Sequence, residues 1–326
     1  MRKYLLLFLS LLFLSVSVFK TPTIALANDN KVYLGGMPAG FSLNIRGAYV
    51  IGITDVITEN GIISPAKEAS LKTGDVILKI DGIEVNNSND VEKAIADSKI
   101  KNLLILRDDE EVNILIKPAK DINGKFKLGV FIRDNIKGIG TITFIKNNRF
   151  ASLGHPITEE NGKISNAKDG ELYECFITGN VKGERGKAGE LKGIFTKTMP
   201  IGEIDTNCSQ GVYGKITPNF NLNELEQVEI SNAKIGEASI YSTIIGNKPK
   251  KYKISIIKVD NDLEGNKNLV LKITDKELIE QTGGIVQGMS GSPIVQNGKL
   301  VGAVTHVFIN DPERGFGISI KNMINK

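Results

Sequence analysis

The sequence predicts a mainly β protein built from two β-rich units. Short apolar segments rich in Val, Ile and Thr alternate with Gly, Asn and Asp turns, and the 326 residues include 34 glycines and no tryptophan. Residues of this kind favour pleated strands. Many short strands separated by turn signals are typical of a β-sandwich or a β-barrel. The length is sufficient for two domains.

Residues 1–27 have the form of an export signal. Arg2 and Lys3 precede the apolar run 4–19, and Ala-Leu-Ala at 25–27 is typical of a cleavage site. The run is short for a membrane span, which needs about 20 apolar residues. We expect either a cleaved signal peptide or a retained N-terminal anchor, and in both cases the rest of the chain lies across a membrane.

Charge and cysteine content exclude several classes of protein. The formal net charge is +4, and it falls to +1 without the three basic residues of segment 1–27, so a nucleic-acid footprint is absent. Cys175 and Cys208 form either one disulfide or two isolated thiols. With the two histidines they lack the spacing of a zinc site, and we expect no metal and no cofactor.

The region 30–118 carries the signals of a peptide-binding module. The segment 64–82 combines a short helix, a Gly-Asp turn, an apolar strand and an Asp-Gly hairpin. Within it, Ala-Ser-Leu-Lys-Thr-Gly-Asp-Val-Ile at 69–77 resembles the Ala-Gly-Leu-Lys-x-Gly-Asp-x-Ile motif of PDZ domains in exported bacterial proteases, with Ser70 in place of the common glycine.

PDZ domains bind an extended peptide as a strand added to a sheet edge. The resemblance implies that the turn 38–42 receives a terminal carboxylate and that Phe41 and Leu43 line the pocket. The residues predicted to bind the peptide are Ala39, Gly40, Phe41, Ser42 and Leu43. A spacer role for the domain is the alternative.

The segment 283–295, Gly-Gly-Ile-Val-Gln-Gly-Met-Ser-Gly-Ser-Pro-Ile-Val, has the local form of a serine-protease nucleophile turn. Its glycines permit a sharp turn and leave the approach to a scissile carbonyl open. Such a turn directs the amides of Gly288 and Ser290 toward one point, where an oxyanion forms. We predict Ser290 as the nucleophile and these two amides as the oxyanion hole.

A serine attacks a peptide bond only when a base removes its proton, and histidine suits this role near neutral pH. The chain has two histidines, His155 and His306. His155 follows the predicted strand 139–145 and precedes Ser290 by 135 residues, the His-before-Ser order of chymotrypsin-like enzymes. An α/β-hydrolase needs Gly-x-Ser-x-Gly, and position 292 is serine. We predict His155 as the general base.

The strand after the nucleophile hairpin is predicted to bind substrate. A turn at 297–298, Asn-Gly, leads into the apolar segment 300–307. In chymotrypsin-like proteases the corresponding strand pairs with the substrate backbone. By this resemblance the substrate strand consists of Val304, Thr305, His306 and Val307. His306 then either lines a subsite or is an ordinary strand histidine.

A carboxylate that orients the imidazole completes a catalytic triad, and spacing alone does not select it. The aspartates between His155 and Ser290 are Asp169, Asp205, Asp260, Asp262 and Asp275. Asp205 lies about midway, as in trypsin-type chains. Asp275 precedes a predicted short helix at 276–281, so the N-cap of that helix is a competing role.

Five further segments resemble the SpoIVB peptidases, the stage IV sporulation protein B family. They are 138–144, 152–157, 274–278, 282–294 and 302–312. With the signal segment and the PDZ motif, the resemblance extends over essentially the whole chain. It implies a chymotrypsin-like double β-barrel serine protease domain at 119–326, with His155 as base, Ser290 as nucleophile and Asp275 as triad acid.

The same resemblance implies a secreted regulatory endopeptidase of endospore-forming bacteria. The forespore secretes such proteases into the space between its two membranes, where they process themselves. They also cut the extracytoplasmic part of a membrane-bound regulator, which releases an intramembrane protease that processes the precursor of a late sporulation sigma factor. The expected partners are this membrane-anchored regulator, other copies of the chain and a protein inhibitor.

Two other interpretations compete with a protease. A catalytically inactive PDZ scaffold at the membrane surface uses only the peptide-binding module, but it has no need to keep Ser290, His155 and the oxyanion glycines together. An esterase or lipase is disfavoured by the PDZ motif and by the failed Gly-x-Ser-x-Gly pattern.

Overall fold

The computed structural model describes residues 30–158, 169–260 and 263–324, so the predicted export signal lies outside the described residues. Its strands are β1 (Lys31–Leu34), β2 (Pro38–Ile53), β3 (Val56–Thr58), β4 (Gly61–Ile63), β5 (Val76–Ile80), β6 (Ile83–Glu84), β7 (Lys101–Arg107), β8 (Glu110–Ile116), β9 (Ala119–Lys120), β10 (Phe126–Lys127), β11 (Val130–Lys146), β12 (Arg149–Ser152), β13 (Asp169–Val181), β14 (Glu190–Cys208), β15 (Gly211–Ile216), β16 (Gln227–Glu229), β17 (Gly236–Ser242), β18 (Lys250–Val259), β19 (Leu269–Ile273), β20 (Pro293–Gln296), β21 (Lys299–Phe308) and β22 (Asp311–Ser319). The helices are α1 (Pro65–Glu68), α2 (Ser88–Ala94), α3 (Lys276–Thr282) and α4 (Ile320–Met323), with a 3-10 helix at Leu222–Glu224. Within the described ranges, no helix has the length and apolar character of a membrane span.

Six strands close a first barrel in the order β11-β12-β15-β14-β13-β2. Closure depends on β11, which pairs with β12 near its C-terminal end and with β2 along most of its remaining length. Successive side chains of a strand point to opposite faces, so each strand sends alternate residues inward. The interior is packed with apolar side chains, among them Phe41, Leu43, Ile142, Phe150 and Leu172.

A second closed barrel follows in the order β17-β18-β19-β22-β21-β20. The alternation is visible in β19, where Leu269, Leu271 and Ile273 are buried and Lys272 is exposed. At 297–298 the Asn-Gly pair connects β20 to β21 with φ of +52° and +75°. Two positive φ values are typical of a type I′ hairpin turn. The predicted turn and the predicted double β-barrel are both confirmed.

The PDZ part lies between β2 and β11 in the sequence. Strands β5, β7 and β8 extend the sheet from the second half of β2. Side chains from these strands and from both helices, including Val50, Ala66, Ile77, Val91 and Leu103, form one core. The Asp-Gly pair at 81–82 makes the β5–β6 hairpin with φ of +50° and +81°, which confirms the sequence prediction for this segment.

The peptide site predicted at Ala39, Gly40, Phe41, Ser42 and Leu43 requires a correction. These residues form the first half of β2, which pairs with β11 on one edge and with β13 on the other. A strand whose two edges are both occupied has no backbone groups left for an added peptide. The alternate side chains of this segment are buried in the core of the first barrel.

Strand β11 serves both parts of the molecule. Val130 and Ile132 pack on the PDZ core, while the C-terminal half of the strand belongs to the first barrel. The Asp134 carboxylate accepts hydrogen bonds from the Ser88 amide (2.7 Å) and hydroxyl (2.8 Å) at the start of α2. The boundary predicted at 118 therefore separates two sequence motifs, whereas β2 and β11 each run through both cores.

A buried ion pair in the PDZ part gives a testable stability difference. Asp75 is 1% exposed and accepts from Nε (2.7 Å) and Nη2 (2.6 Å) of Arg107. Because Arg107→Ala leaves a buried carboxylate without its counter-charge, we expect the free energy of unfolding to fall by about 3 kcal/mol, measured by urea denaturation. Lys67→Ala, which removes an exposed pair with Asp55, is the control and should barely change the midpoint. Equal losses in the two variants would contradict the role of burial.

Candidate active site

Ser290 lies in a tight turn between α3 and β20. Gly288 and Gly291 adopt φ of +95° and +92°, a region that residues with a Cβ rarely enter. A hydrogen bond from the Ser292 amide to the Met289 carbonyl (2.9 Å) closes the turn. The glycines therefore occupy the two positions at which the backbone conformation itself requires them.

The N–H groups of Gly288 and Ser290 belong to the same peptide groups as the Gln287 and Met289 carbonyls. Each N–H points away from the amide that bonds to the carbonyl of its peptide group. The Gln287 carbonyl accepts from the Leu191 amide (2.8 Å), and the Met289 carbonyl accepts within the turn. In a trans peptide the N–H points opposite to the C=O, so the next amide in each case faces the other way. In the described part of the chain, neither amide donates to a backbone carbonyl. Both are available to an anion.

Two threonines of β11 hold the nucleophile turn in place. The Thr141 hydroxyl donates to the Gly288 carbonyl (2.9 Å), and its amide donates to the Ser290 carbonyl (2.9 Å). The Thr143 hydroxyl donates to the Gly291 carbonyl (2.8 Å). Both threonines are buried, so water does not compete for these bonds. A strand of the first barrel thus fixes a turn of the second.

The segment that carries His155 is a second strained turn. After β12 the chain passes through Leu153 and Gly154 with φ of +64° and +69°. The left-handed region costs a residue such as leucine about 1–2 kcal/mol, and its buried side chain in the first-barrel core offsets that cost. A Cβ on Gly154 would approach the side chains of Thr305 and Ile318 to 2.8 Å, so this turn lies directly against the second barrel.

The two turns are in backbone contact at the junction of the barrels. A Cβ on Gly291 would lie 2.1 Å from the Thr141 carbonyl oxygen and 2.5 Å from the Leu153 amide nitrogen. That amide in turn lies 3.4 Å from the same carbonyl oxygen. The fold therefore brings the turn that precedes His155 into contact with the turn that carries Ser290.

The imidazole of His155 is oriented by a backbone carbonyl. Its Nδ1 lies 2.9 Å from the Pro156 carbonyl oxygen. A carbonyl only accepts hydrogen bonds, so Nδ1 carries the proton and Nε2 of the neutral ring keeps its lone pair. Burial lowers the pKa of His155, and the Pro156 hydrogen bond opposes this effect. The ring is held in the protonation state that a general base needs.

The Ser290 hydroxyl donates to the Thr305 carbonyl (2.9 Å). The Thr305 hydroxyl donates to the Asn266 carbonyl (2.9 Å), and the Asn266 side chain donates to the Ser209 carbonyl (3.0 Å). These bonds link the nucleophile to the loop before β19 and to the β14–β15 turn. The Ser290 hydroxyl proton is therefore directed at a backbone carbonyl and not at an imidazole.

The second histidine stands next to the first. The ring centroids of His155 and His306 are 5.1 Å apart. The Nδ1 of His306 is buried and has no hydrogen-bond partner among the described residues. Burial, followed by the neighbouring His155 and Lys267, lowers the pKa of His306 to about 4. His306 is therefore uncharged near pH 7 and lies at the site on the β21 side.

The structure does not bring Asp275 to His155. Asp275 is the N-cap of α3, and its carboxylate accepts from the amides of Leu278 (3.2 Å) and Lys253 (3.1 Å). Strand β19 separates it from the loop that contains Asn266, a span of roughly 15–20 Å at 3.4 Å per residue. The helix-cap role is the one that the structure shows for this aspartate.

The other candidate aspartates do not orient the imidazole either. Asp205 forms a two-point pair with Arg149, at 2.8 Å for both bonds, and this partner lowers the pKa of Asp205. Across the residues that the structure describes, no carboxylate is hydrogen-bonded to His155. Asp262 lies outside the described residues.

The predicted substrate strand contains a local irregularity at the site. The amide and the carbonyl of Val304 are both bonded to the nucleophile turn. The pairing of β21 with β22 shifts register between Val304 and His306, and again between Val307 and Phe308. The shift leaves the Thr305 carbonyl facing Ser290 instead of a neighbouring strand. Such bulges often re-aim a backbone group next to an active site.

Several residues that assemble the site were missed by the sequence analysis. Thr141 and Thr143 fasten the nucleophile turn, and Pro156 supplies a carbonyl to the imidazole. The only signal of the threonines is that residues two apart in a strand share one face. A backbone carbonyl has no side-chain signature.

The PDZ part has an open strand edge, and it lies in a different segment from the peptide site predicted at Ala39–Leu43. At 127–130 the sequence is Lys-Leu-Gly-Val, and Gly129 has φ of +78° with its carbonyl 2.9 Å from the Thr54 amide. The following stretch, 130–134, has β2 on one edge and no strand on the other among the described strands. On that side Asp134 contacts the start of α2. The apolar-Gly-apolar pattern is the signal that could have located it.

No cluster of three or more His, Cys, Asp or Glu side chains with metal-binding geometry exists within 30–158, 169–260 and 263–324. Both cysteines are free thiols. Burial raises the pKa of Cys175 to about 11, which keeps this thiol protonated.

Two protein families match the chain. The family described as SpoIVB peptidase S55 matches residues 124–324, and the PDZ domain family matches residues 39–117.

Curated proteins and solved structures give shorter or weaker similarities. Serine protease HTRA1 of Xenopus laevis is 35% identical over 80 residues, and that of Xenopus tropicalis is 38% identical over 81 residues. Each match covers 24% of this chain and 16% of the relative. The Rv3671c protease in its inactive form aligns with a TM-score of 0.33 and 16% identity, over 56% of this chain and 80% of that one.

Gly291→Ala tests the contact between the two turns. The added methyl group has no space beside the Thr141 carbonyl, so the turns must separate. We expect the free energy of unfolding to fall by about 3 kcal/mol and kcat/KM on a peptide to fall by about 100-fold or more. Gly298→Ala is the matched control, because Gly298 also has a positive φ but nothing lies within 4 Å of a Cβ there. Similar losses of stability and activity in both variants would show that a Cβ at positive φ, and not the contact between the two turns, causes them.

Proposed function

Because the chain belongs to the SpoIVB peptidase S55 family and carries a PDZ domain, we propose that this serine peptidase uses Ser290 as its nucleophile and His155 as its general base. The observation that supports the assignment is the backbone contact between the two turns that carry these residues. Gly288 and Ser290 supply the amides of the oxyanion hole in this proposal.

The reaction proceeds by acyl transfer. Ser290 rotates away from the Thr305 carbonyl, His155 Nε2 accepts its proton, and Oγ attacks the scissile carbonyl carbon. The amides of Gly288 and Ser290 stabilise the resulting oxyanion. The imidazolium returns the proton to the leaving amine as the C–N bond breaks, and a water molecule then hydrolyses the acyl-enzyme by the same steps.

Substrate binding supplies the reason for the serine to rotate. A peptide that adds as a strand beside β21 presents a backbone N–H to the Thr305 carbonyl. That carbonyl then has a new donor, and the Ser290 hydroxyl is released toward His155. His306 and Val307 continue the substrate strand, and the uncharged His306 ring lines the adjacent subsite.

In this proposal the PDZ part binds its peptide along the open edge of β11 at 130–134, which is the edge that faces α2. Support comes from its pairing with β2 on one side only and from the packing of Val130 and Ile132 on the PDZ core. The turn at Gly129 precedes this edge, as the carboxylate-binding turn of a PDZ domain precedes its peptide-binding strand. The ligand class in this proposal is an extended peptide, with its C-terminus at that turn.

The family and the N-terminal apolar run support a regulatory role outside the cytoplasm. We infer an exported endopeptidase that processes itself and cleaves the extracytoplasmic part of a membrane-bound regulator. Its cut would start the intramembrane proteolysis that activates a late sporulation sigma factor. The proposed site of action is the space between the two forespore membranes, with other copies of the chain and a protein inhibitor as further partners.

One observation favours the alternative of an inactive PDZ scaffold, namely that the Ser290 hydroxyl is bonded to a carbonyl and not to a base. Reaction with a serine-directed fluorophosphonate separates the two functions, since only an activated serine reacts readily. An unlabelled wild-type protein that also fails to cleave itself would favour the scaffold.

The assignment of the catalytic pair is tested by Ser290→Ala and His155→Ala. We expect each to reduce turnover by on the order of 10⁶-fold and to abolish self-cleavage, measured with a peptide substrate and by N-terminal sequencing of the mature protein. Ser231→Ala, in an exposed loop, is the control. Undiminished cleavage by Ser290→Ala would overturn the nucleophile, and loss in His306→Ala with retention in His155→Ala would overturn the base.

The pH dependence tests the state of the imidazole. Only the neutral ring accepts the serine proton, so kcat/KM should rise as the pH increases through the pKa of His155. Burial lowers that pKa from its ordinary value of 6.5, so the midpoint of the acid limb should lie below pH 6.5. A midpoint above this value would indicate an ionised carboxylate beside the ring, because a negative charge favours the imidazolium.

A further inference from the structure

The Pro156 carbonyl that orients His155 belongs to a peptide group held by a third residue. That group joins Pro156 to Ile157, so its C=O faces the imidazole and its N–H is the amide of Ile157. The Ile157 amide donates to Oδ1 of Asn207 (2.8 Å), and Nδ2 of Asn207 donates to the Ile157 carbonyl (2.9 Å). One side chain therefore clamps both polar groups of Ile157.

These contacts form a continuous chain of hydrogen bonds. Oδ1 of Asn207 accepts from the Ile157 N–H, and the same peptide accepts from Nδ1–H of His155 through its C=O. Hydrogen bonds in series polarise one another. An acceptor at the N–H strengthens the C=O of that peptide as an acceptor for the imidazole.

Asn207 lies on a rigid element of the fold. It lies near the end of β14, where it pairs with Val212 of β15. The β14–β15 turn packs against the turn that carries His155, since a Cβ on Gly211 would lie 2.5 Å from the Ser152 carbonyl oxygen and 3.2 Å from the Gly154 amide. The hairpin cannot move without displacing the imidazole turn.

We propose that Asn207 is a positioning residue for catalysis, which sets the tautomer and direction of the His155 ring through the Pro156–Ile157 peptide. This inference rests on the proposed role of His155 as general base. The Asn207 carboxamide then acts through the Pro156–Ile157 peptide group and has the orienting role that a carboxylate has in a Ser-His-Asp triad.

Asn207→Ala removes both clamping bonds. We expect kcat to fall by about 10–100-fold, the effect of two lost hydrogen bonds on the transition state, with KM changed by less than about twofold because Asn207 lies on β14 and the proposed substrate strand is β21. Asn221→Ala is the matched control, since Asn221 also accepts from a local backbone amide, at Asn223. Thermal unfolding of both variants shows whether the fold is kept.

Asn207→Asp gives a readout that a merely structural role does not move. It keeps an acceptor for the Ile157 amide but adds a negative charge at the far side of the peptide, which favours the imidazolium. The acid limb of kcat/KM should therefore move to higher pH. The titratable group facing His155 in the described structure is His306, which titrates near pH 4 and does not confuse this shift.

The outcomes separate this inference from the proposed function. If Ser290→Ala or His155→Ala remains active, the proposed function fails and this inference with it. If both are inactive while Asn207→Ala keeps its kcat and Asn207→Asp keeps the wild-type pH profile, only the role of Asn207 is overturned. Asp275→Asn should remain active, because asparagine caps a helix as well as aspartate; inactivity of a folded Asp275→Asn would place the orienting group there instead.

Discussion

The close approach of Gly291 to Thr141 and Leu153 holds the two barrels in the register that the site needs. The nucleophile turn belongs to the second barrel and the turn that carries His155 to the first, so the two turns are far apart along the chain. Three hydrogen bonds from the β11 threonines fasten the nucleophile turn to the first barrel. Each neutral bond is worth only about 1 kcal/mol net, so the contact holds because the two packed barrels present it rigidly.

Strand β11 extends this dependence to the PDZ part. Its 17 residues contact α2 through Asp134 and the nucleophile turn through Thr141, roughly 23 Å further along at 3.3 Å per residue. The first barrel cannot close without β2, and the PDZ sheet is incomplete without β11. Because β2 and β11 each contribute to both cores, neither core can form fully without the other. Contacts so far apart in sequence are typical of slow-folding β proteins.

The elements that could be predicted from the sequence are those set by local chemistry. The Asp-Gly pair at 81–82 and the Asn-Gly pair at 297–298 need positive φ at both positions, and few other dipeptides tolerate this. The glycines around Ser290 reflect the same requirement. His155 could be proposed as the base because the chain offers only two histidines and its order relative to Ser290 matches a known arrangement, and this role stays a prediction.

The predictions that failed concern pairing and distance across the fold. Ala39–Leu43 alternates like any half-buried strand, and a sequence pattern does not show whether one edge or both edges will be paired. The family resemblance implies that Asp275 is a triad acid and the local sequence equally suits a helix N-cap, and only the position of α3 relative to His155 distinguishes these roles. The Pro156 carbonyl and the β11 threonines act through backbone groups, which leave no residue-type signal.

The protonation of the site follows from the use of a neutral orienting group. A carboxylate beside the imidazole raises its pKa, whereas a carbonyl dipole does so less, and at His155 burial outweighs it. In the proposed mechanism the imidazole is therefore uncharged near neutral pH, and the restraint on reactivity lies in the serine. The Ser290 hydroxyl rests on the Thr305 carbonyl, a bond worth about 1 kcal/mol net. A peptide backbone can replace that donor with its own N–H, whereas a small reagent has to break the bond unaided at a cost of about fivefold in rate, so the binding of an extended chain beside β21 favours reaction without being required for it.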